Sequence, residues 1–292
     1  MAYELQVEAL MPEEMARRAE YIGVLKSEAP FLKLFFLAIL AGSFIALGAI
    51  FATTVAIQGA GTAVPFGVNQ LLVGLAFCLG LILVIVAGAE LFTGNNLIVM
   101  AWASGRISLK CLLRNWAVVY LGNFIGSVLV AGMYFLTRKY QSVEGTLGET
   151  MLSLAKGKVN LGFWEAVFLA ILCNFLVCLA VWLTFSARST GDKILAIIFP
   201  ITAFVAAGFE HSIANMYFVP AGLFIKMFDP AFTGGTGMAL ESLTWGNFLV
   251  RNLIPVTIGN VIGGALMVAG VYWVVYLATK TKFVFPIYVS YS

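Results

Sequence analysis

Ala207-Gly-Phe-Glu-His-Ser-Ile-Ala-Asn215 sets a carboxylate and the only histidine of the chain inside a stretch with no other charge from Ile194 to Ile225. Ionisable groups at such depth in an apolar run are expensive, and the glycine beside them offers a place for a helix to stop. A second cluster, Ala87-Gly-Ala-Glu-Leu-Phe-Thr-Gly-Asn-Asn96, lies within region 67–104, which holds no Lys or Arg. That region is too long for one ordinary span and too short for two with a connector. Both clusters read as membrane helices interrupted midway, resuming as half-helices near Leu97 and Met216.

The surrounding composition agrees. Of 292 residues, 61% are apolar and 11% charged, against about 45–50% and about 25% in soluble domains. Charge-free stretches run over 34–89, 115–137, 166–187, 194–209 and 252–279, each comparable to the ~20 residues that cross a ~30 Å hydrocarbon core. The chain is therefore an all-α polytopic membrane protein. Six spans are expected near 32–58, 67–104, 112–138, 162–187, 193–227 and 247–279. Soluble enzymes are excluded, and a net charge of +3 is too small and dispersed to propose nucleic acid as a partner.

The two halves repeat. Phe36-Leu-Ala-Ile-Leu40 recurs as Phe168-Leu-Ala-Ile-Leu172, and Gly88-x-Glu90 as Gly208-x-Glu210. Arg114-Asn115, Gly122-Asn123 and Ile125-Gly126 recur in the same order as Arg251-Asn252, Gly259-Asn260 and Ile262-Gly263. An odd number of spans per copy makes this a 3+3 inverted repeat, about 32–138 and 162–279, with the second and fifth helices broken. Such repeats place a translocation site at mid-membrane between discontinuous helices. The domain division is an amino-terminal segment 1–30, a six-span unit 31–280 and a tail 281–292. Lys and Arg are denser in 1–33, 106–114, 188–193 and 280–282 than in 138–158 and 226–251, which puts both termini in the cytoplasm. No cleavable signal peptide is expected. Leu10 to Lys26 can form an amphipathic helix at the membrane surface, either an anchor, the plainer reading, or a gate. Cys78, Cys111, Cys173 and Cys178 lack a CxxC pair and read as packing residues.

Glu90 and Glu210 occupy equivalent repeat positions, which favours a structural role, each carboxylate accepting backbone N–H groups freed at its break. His211 has Leu91 as its counterpart, so architecture alone does not call for histidine. A titratable ring beside a mid-membrane break reads as a site, with Thr93 as a hydroxyl partner from the other break. Positive ends of the half-helices favour a small anion or its conjugate acid. Phe77, Leu81, Leu91 and Phe204 can form hydrophobic constrictions that a neutral solute crosses more readily.

Other machineries are missing from the sequence. It has no GxxxxGK[ST] loop, HExxH, Asn-Pro-Ala pair or GxSxG context. Neither an ATP-driven pump, a metal site nor a cofactor is expected, and the chain does not read as an enzyme. A membrane enzyme or receptor using the broken-helix cavity is the competing class.

The clusters at 87–96 and 207–215, with Asn252-Leu-Ile-Pro-Val-Thr-Ile-Gly-Asn260, resemble the formate/nitrite transporter family from about Leu10 to Leu277. Phe185-Ser-Ala-Arg-Ser189 and Asn174-Phe-Leu-Val-Cys-Leu-Ala-Val-Trp182 look most like its formate-channel branch, whereas Gly94-Asn95-Asn96 departs from the Ser-rich form common there. The resemblance implies an aquaporin-like protomer, a homopentamer with one pore per protomer, and a bacterial inner-membrane location. It implies a selectivity centre at His211 and Thr93, a vestibule lysine at Lys158, and pore polar residues at Asn174, Asn215 and Asn260. It also places slits at Phe77, Leu81, Leu91 and Phe204. The implied solute is formate first, nitrite or hydrosulfide second, in a pH-dependent passage with protonation at the histidine.

Overall fold

The computed structural model describes residues 9–57 and 64–278; the expected tail, 281–292, lies outside them. Among the described residues there are helices and turns and no strands. Helix α1 (Pro12–Ser27) has Pro12 at its first position, Glu13 and Glu14 in its first turn and Lys26 in its last, charges that match the helix dipole at each end. It buries Met15, Ala16, Ala19 and Gly23 in a cluster with Leu97, Ile98 and Met100.

The long spans are α2 (Phe31–Ala56), α3 (Phe66–Val86), α5 (Leu109–Leu136), α7 (Phe163–Ser186) and α11 (Trp245–Tyr276), all long and apolar enough to cross a membrane. The second region divides into α3 and, after the break, a 3₁₀ turn at Gly94–Ile98 running into α4 (Val99–Ala103). The fifth divides into α8 (Thr190–Ala206) and α9 (Ser212–Phe228). Helix α6 (Thr146–Val159) and the short α10 (Pro230–Gly235) lie outside the spans, and α11 contains π-helical turns at Phe248–Leu253 and Ile262–Gly270.

Two expectations about the resumptions are corrected. The first begins at Gly94 as a 3₁₀ turn, not as an α-helix near Leu97. The second begins at Ser212, not near Met216, because the His211 ring itself is the cap: Nδ1 accepts the Ala214 N–H at 3.1 Å. Histidine is not among the usual capping residues, so its place at a helix start was not legible from type.

Both breaks are made the same way. Gly88 (φ 82°) and Gly208 (φ 72°) take the left-handed conformation just past the incoming helix. The next N–H returns five residues, Ala89 to Val84 O and Phe209 to Phe204 O, closing a left-handed glycine cap. Outside the breaks, α2 crosses α5, and α7 crosses α11, on glycine. A Cβ on Gly126 would run into the Ile39 carbonyl, and one on Gly263 into the equivalent Ile171 carbonyl. Small residues of this kind let membrane helices approach backbone to backbone.

The amino-terminal helix belongs to this symmetry. Lys26 precedes Phe36 by the same separation as Lys158 precedes Phe168, and α6 stands to the second repeat as α1 stands to the first. The repeated unit therefore includes a short helix ahead of its three spans.

Candidate functional site

The breaks leave backbone groups that need partners at a depth where lipid offers none. Asn123 on α5 supplies them for the first: its Nδ2 donates to Ala38 O (2.7 Å) and Glu90 O (2.9 Å), and its Oδ1 accepts the Phe92 N–H (2.9 Å). Asn260 on α11 repeats the pattern with Ala170 O (2.9 Å), Glu210 O (3.0 Å) and the Ser212 N–H (2.9 Å). The Glu90 and Glu210 N–H groups complete it on Leu37 O and Leu169 O.

The expectation that the two carboxylates accept freed backbone N–H groups is thereby corrected. Glu90 accepts instead from Lys26 Nζ (3.0 Å) and Asn95 Nδ2 (2.8 Å). Glu210 accepts from Lys158 Nζ (2.8 Å) and Asn215 Nδ2 (2.6 Å). Each asparagine leans on another, Asn95 on Asn115 and Asn215 on Asn252. Those two in turn donate to the carbonyls of Lys26 and Lys158 (both 2.9 Å). A carboxylate this deep is thus paired with a cation and an amide, the arrangement that offsets its desolvation.

The two sites are not identical: Asn252 Nδ2 also reaches Glu210 Oε2 at 3.4 Å. Lys26 also donates to Asn95 Oδ1 at 2.8 Å, whereas Asn215 Oδ1 has no partner and Lys158 Nζ lies over the Phe218 ring, 5.3 Å from its centroid. Lys158 is the less committed of the pair.

Between them sits the asymmetric centre. Thr93 Oγ1 lies 3.0 Å from His211 Nε2, with Thr93 fully buried and His211 3% exposed. Because Nδ1 accepts the Ala214 N–H, the neutral ring carries its proton on Nε2 and donates to Thr93 Oγ1. The Phe204 ring stacks on the imidazole (centroids 5.9 Å, planes at 24°), and Phe77 meets Phe204 edge-on at 5.6 Å.

Two cavities approach this centre. One, about 480 Å³, is lined by Lys26, Glu90, Asn95, Leu81 and Leu91 on the α1 side. The other, about 200 Å³, is lined by Lys158, Asn215, Phe77, Phe204 and His211 on the α6 side. They share no lining residue. The four apolar residues singled out in the sequence therefore fall into an α1-side pair, Leu81 and Leu91, and an α6-side pair, Phe77 and Phe204. Asn174 and Asn260 line neither cavity. Asn174 Nδ2 donates to Asn260 O (2.6 Å), Asn96 Oδ1 (3.0 Å) and Thr93 O (3.4 Å).

Comparison with known proteins places the chain in a family. The family description "Formate/nitrite transporter" fits residues 13–274. The formate channel FocA of Escherichia coli K12 is 48% identical over 92% of this chain and 95% of that protein. The chain belongs to the formate/nitrite transporter family. A probable formate transporter of Methanothermobacter thermautotrophicus is 40% identical over 91% of this chain and 97% of its own length. Among solved structures, a pentameric formate channel with formate bound superposes with a TM-score of 0.78, at 47% identity, covering 85% of this chain and 98% of that one.

Membership of the formate/nitrite transporter family, with these apolar helices, makes this an integral membrane protein. Among residues that family resemblance did not bring forward, Lys26, Asn95, Asn115 and Asn123 are prominent. The signal for Lys26 was available in the repeat, at the Lys158-equivalent position, but the residue lies outside the apolar runs that draw attention. Cys178 is a further one, its Sγ 3.2 Å from Thr93 O.

Proposed function

We propose that the chain carries formate across the membrane through a pore in each protomer of a homopentamer. The names of its relatives support formate over nitrite, and these relatives are channels and transporters rather than enzymes or receptors. In this reading the α1 side is cytoplasmic, by the Lys and Arg distribution, and the membrane is the bacterial inner membrane.

The single observation that carries the reading is the His211–Thr93 pair, 3.0 Å apart, held without a charged neighbour in hydrogen-bond contact, between two cation-bearing cavities. Lys26 and Lys158 draw the anion into either mouth. A bare carboxylate loses its hydration at the apolar slits, which a neutral acid does not. At the His211–Thr93 pair the carboxylate takes the Nε2 proton while Nδ1 picks up a proton from cavity water, releasing the Ala214 N–H, so that the ring stays neutral. The solute goes on as formic acid and ionises again in the other cavity. Asn215 serves the pathway beside Lys158. Asn174 and Asn260 serve it by holding Thr93 and the Ser212 N–H in place, since their amides are committed to these contacts.

Purified protein in liposomes tests this. Stopped-flow uptake of formate, nitrite, acetate and hydrosulfide at two pH values should show formate flux well above acetate, accompanied by internal acidification. Flux no greater than in protein-free vesicles would overturn the proposal, and nitrite outrunning formate would reassign the substrate.

A further inference from the structure

Thr93 meets His211 through its hydroxyl, yet that hydroxyl caps no backbone N–H of its own turn. What fixes the residue is its carbonyl. Three donors converge on Thr93 O: Cys178 Sγ–H at 3.2 Å, Asn96 N–H at 3.3 Å and Asn174 Nδ2 at 3.4 Å. Cys178 and Asn174 stand one turn apart on the same face of α7, and both are fully buried. Gly264 on α11 makes room for them: a Cβ there would lie 2.7 Å from Cys178 Sγ and would also run into Asn174 Nδ2.

The other repeat does the equivalent job with different residues. Ile213, the counterpart of Thr93, has its carbonyl met by Ser127 Oγ at 3.5 Å, and Ser127 also donates to Gly42 O at 3.1 Å. Ser127 occupies the position of Gly264, and Gly42 that of Asn174. Donor and glycine have changed places. The Cys178–Asn174 pair therefore occurs only beside the break whose side chain faces the imidazole.

We infer that Cys178 is a positioning residue of the permeation centre: with Asn174 it fixes the Thr93 carbonyl and so aims Thr93 Oγ1 at His211 Nε2. The inference rests on the formate reading above and adds a residue that acts through Thr93 rather than on the solute. Cys178→Ala removes the donor with a small loss of volume. Cys178→Ser keeps a donor of similar reach. Gly264→Ala displaces both α7 side chains without altering either.

Formate flux and its pH profile should be read in liposomes for these variants beside Thr93→Val and His211→Asn, with thermal stability of the assembly measured in parallel. Cys178→Ala should lose about two- to tenfold in flux, the span that one net hydrogen bond supports. Its pH profile should move towards that of Thr93→Val, as should that of Gly264→Ala, and Cys178→Ser should restore both readouts. A wild-type flux and pH profile in assembled Cys178→Ala would overturn the inference, as would a Ser variant no better than Ala. If Thr93→Val itself keeps the wild-type profile, the reading of the His211–Thr93 pair fails and this inference with it. If Thr93→Val changes the profile and Cys178→Ala does not, the assignment of Cys178 alone fails.

Discussion

The hydroxyls of Tyr120 and Thr257 lie 2.7 Å apart, and the two residues are the same position of the two repeats, each one helical turn before the asparagine that holds a break. The pseudo-two-fold axis therefore passes between them. Around it the frame is symmetric in chemistry as well as path: Lys26 and Lys158, Glu90 and Glu210, Asn123 and Asn260 make matching contacts. Besides the Lys26–Asn95 bond and the exchange of Ser127 for Gly264, the pair that does not match is the central one, where Thr93 stands opposite Ile213 and His211 opposite Leu91.

Replacing Tyr120 by Phe, or Thr257 by Val, should cost about 0.5–1.5 kcal/mol, the net worth of one hydrogen bond. The double variant should cost less than the sum, because both changes delete one contact. Thermal unfolding of the assembly reads this, and formate flux should stay near wild type. Additive losses would mean that the two hydroxyls act independently.

Glu210→Gln should destabilise more than Glu90→Gln. The Lys158–Glu210 side chains are 15% and 5% exposed, against 29% and 13% for Lys26–Glu90. Breaking a fully buried pair costs about 3–5 kcal/mol, because the remaining charge loses its partner; these pairs fall below that ceiling in order of exposure. Melting temperatures of the purified assemblies decide the order. A thermally normal Gln variant without flux would instead move the glutamates into the pathway.

The same pairing bears on the amino-terminal helix. Treated as an anchor or gate outside the spans, residues 1–28 should be dispensable for assembly. With Lys26 bonded to Glu90 and Asn95, their removal strands a carboxylate. Deletion should lower thermal stability, and Glu90→Gln in the deleted chain should recover much of the loss. Equal stability of the deleted chains with and without Glu90→Gln would show that Glu90 finds another cation.

The spans were legible because charge-free stretches are long and their ends are marked by Lys, Arg and Pro. Helices α2, α5 and α7 begin and end within a few residues of their expected limits. The breaks were legible through Gly-x-Glu and its recurrence. What the glutamates bind was not, since Lys26 and Glu90 are distant in sequence and meet only when α1 folds against the second break. Helix α6 was missed for a related reason: its mixed composition resembles a connector, and only its equivalence to α1 reveals its purpose. The start of α9 was misjudged because nothing in the sequence declares a histidine to be a cap.

Gly126→Ala and Gly263→Ala should both be severe, since each Cβ would meet a helix carbonyl, that of Ile39 or Ile171. Overpacking of this kind costs typically about 1–3 kcal/mol and shifts backbone. Gly132→Ala is the control, because its nearest neighbour, a Phe224 ring carbon, is 3.6 Å away. Loss of the assembled oligomer on size exclusion for the first two and not the third is the expected outcome, and three equal profiles would refute it.

His211→Asn is the most informative change in the molecule, because the structure separates two duties of the ring. Nδ1 caps α9 through the Ala214 N–H, and Nε2–H faces Thr93 Oγ1. Asparagine is among the best helix caps, so the variant should keep the start of α9 and assemble normally. It cannot titrate, and it should lose the proton movement that accompanies formate while leaving a path open to the bare anion. His211→Leu, which copies Leu91 of the other repeat, should lose the cap as well, at a cost of about 0.5–2 kcal/mol, and should also stop flux. Formate-driven acidification of liposomes, read beside current in a planar bilayer, separates the two. If His211→Asn acidifies vesicles as wild type does, with the same pH profile, the proton comes from water in the cavities, and the histidine serves only as a cap and a hydrogen-bond donor.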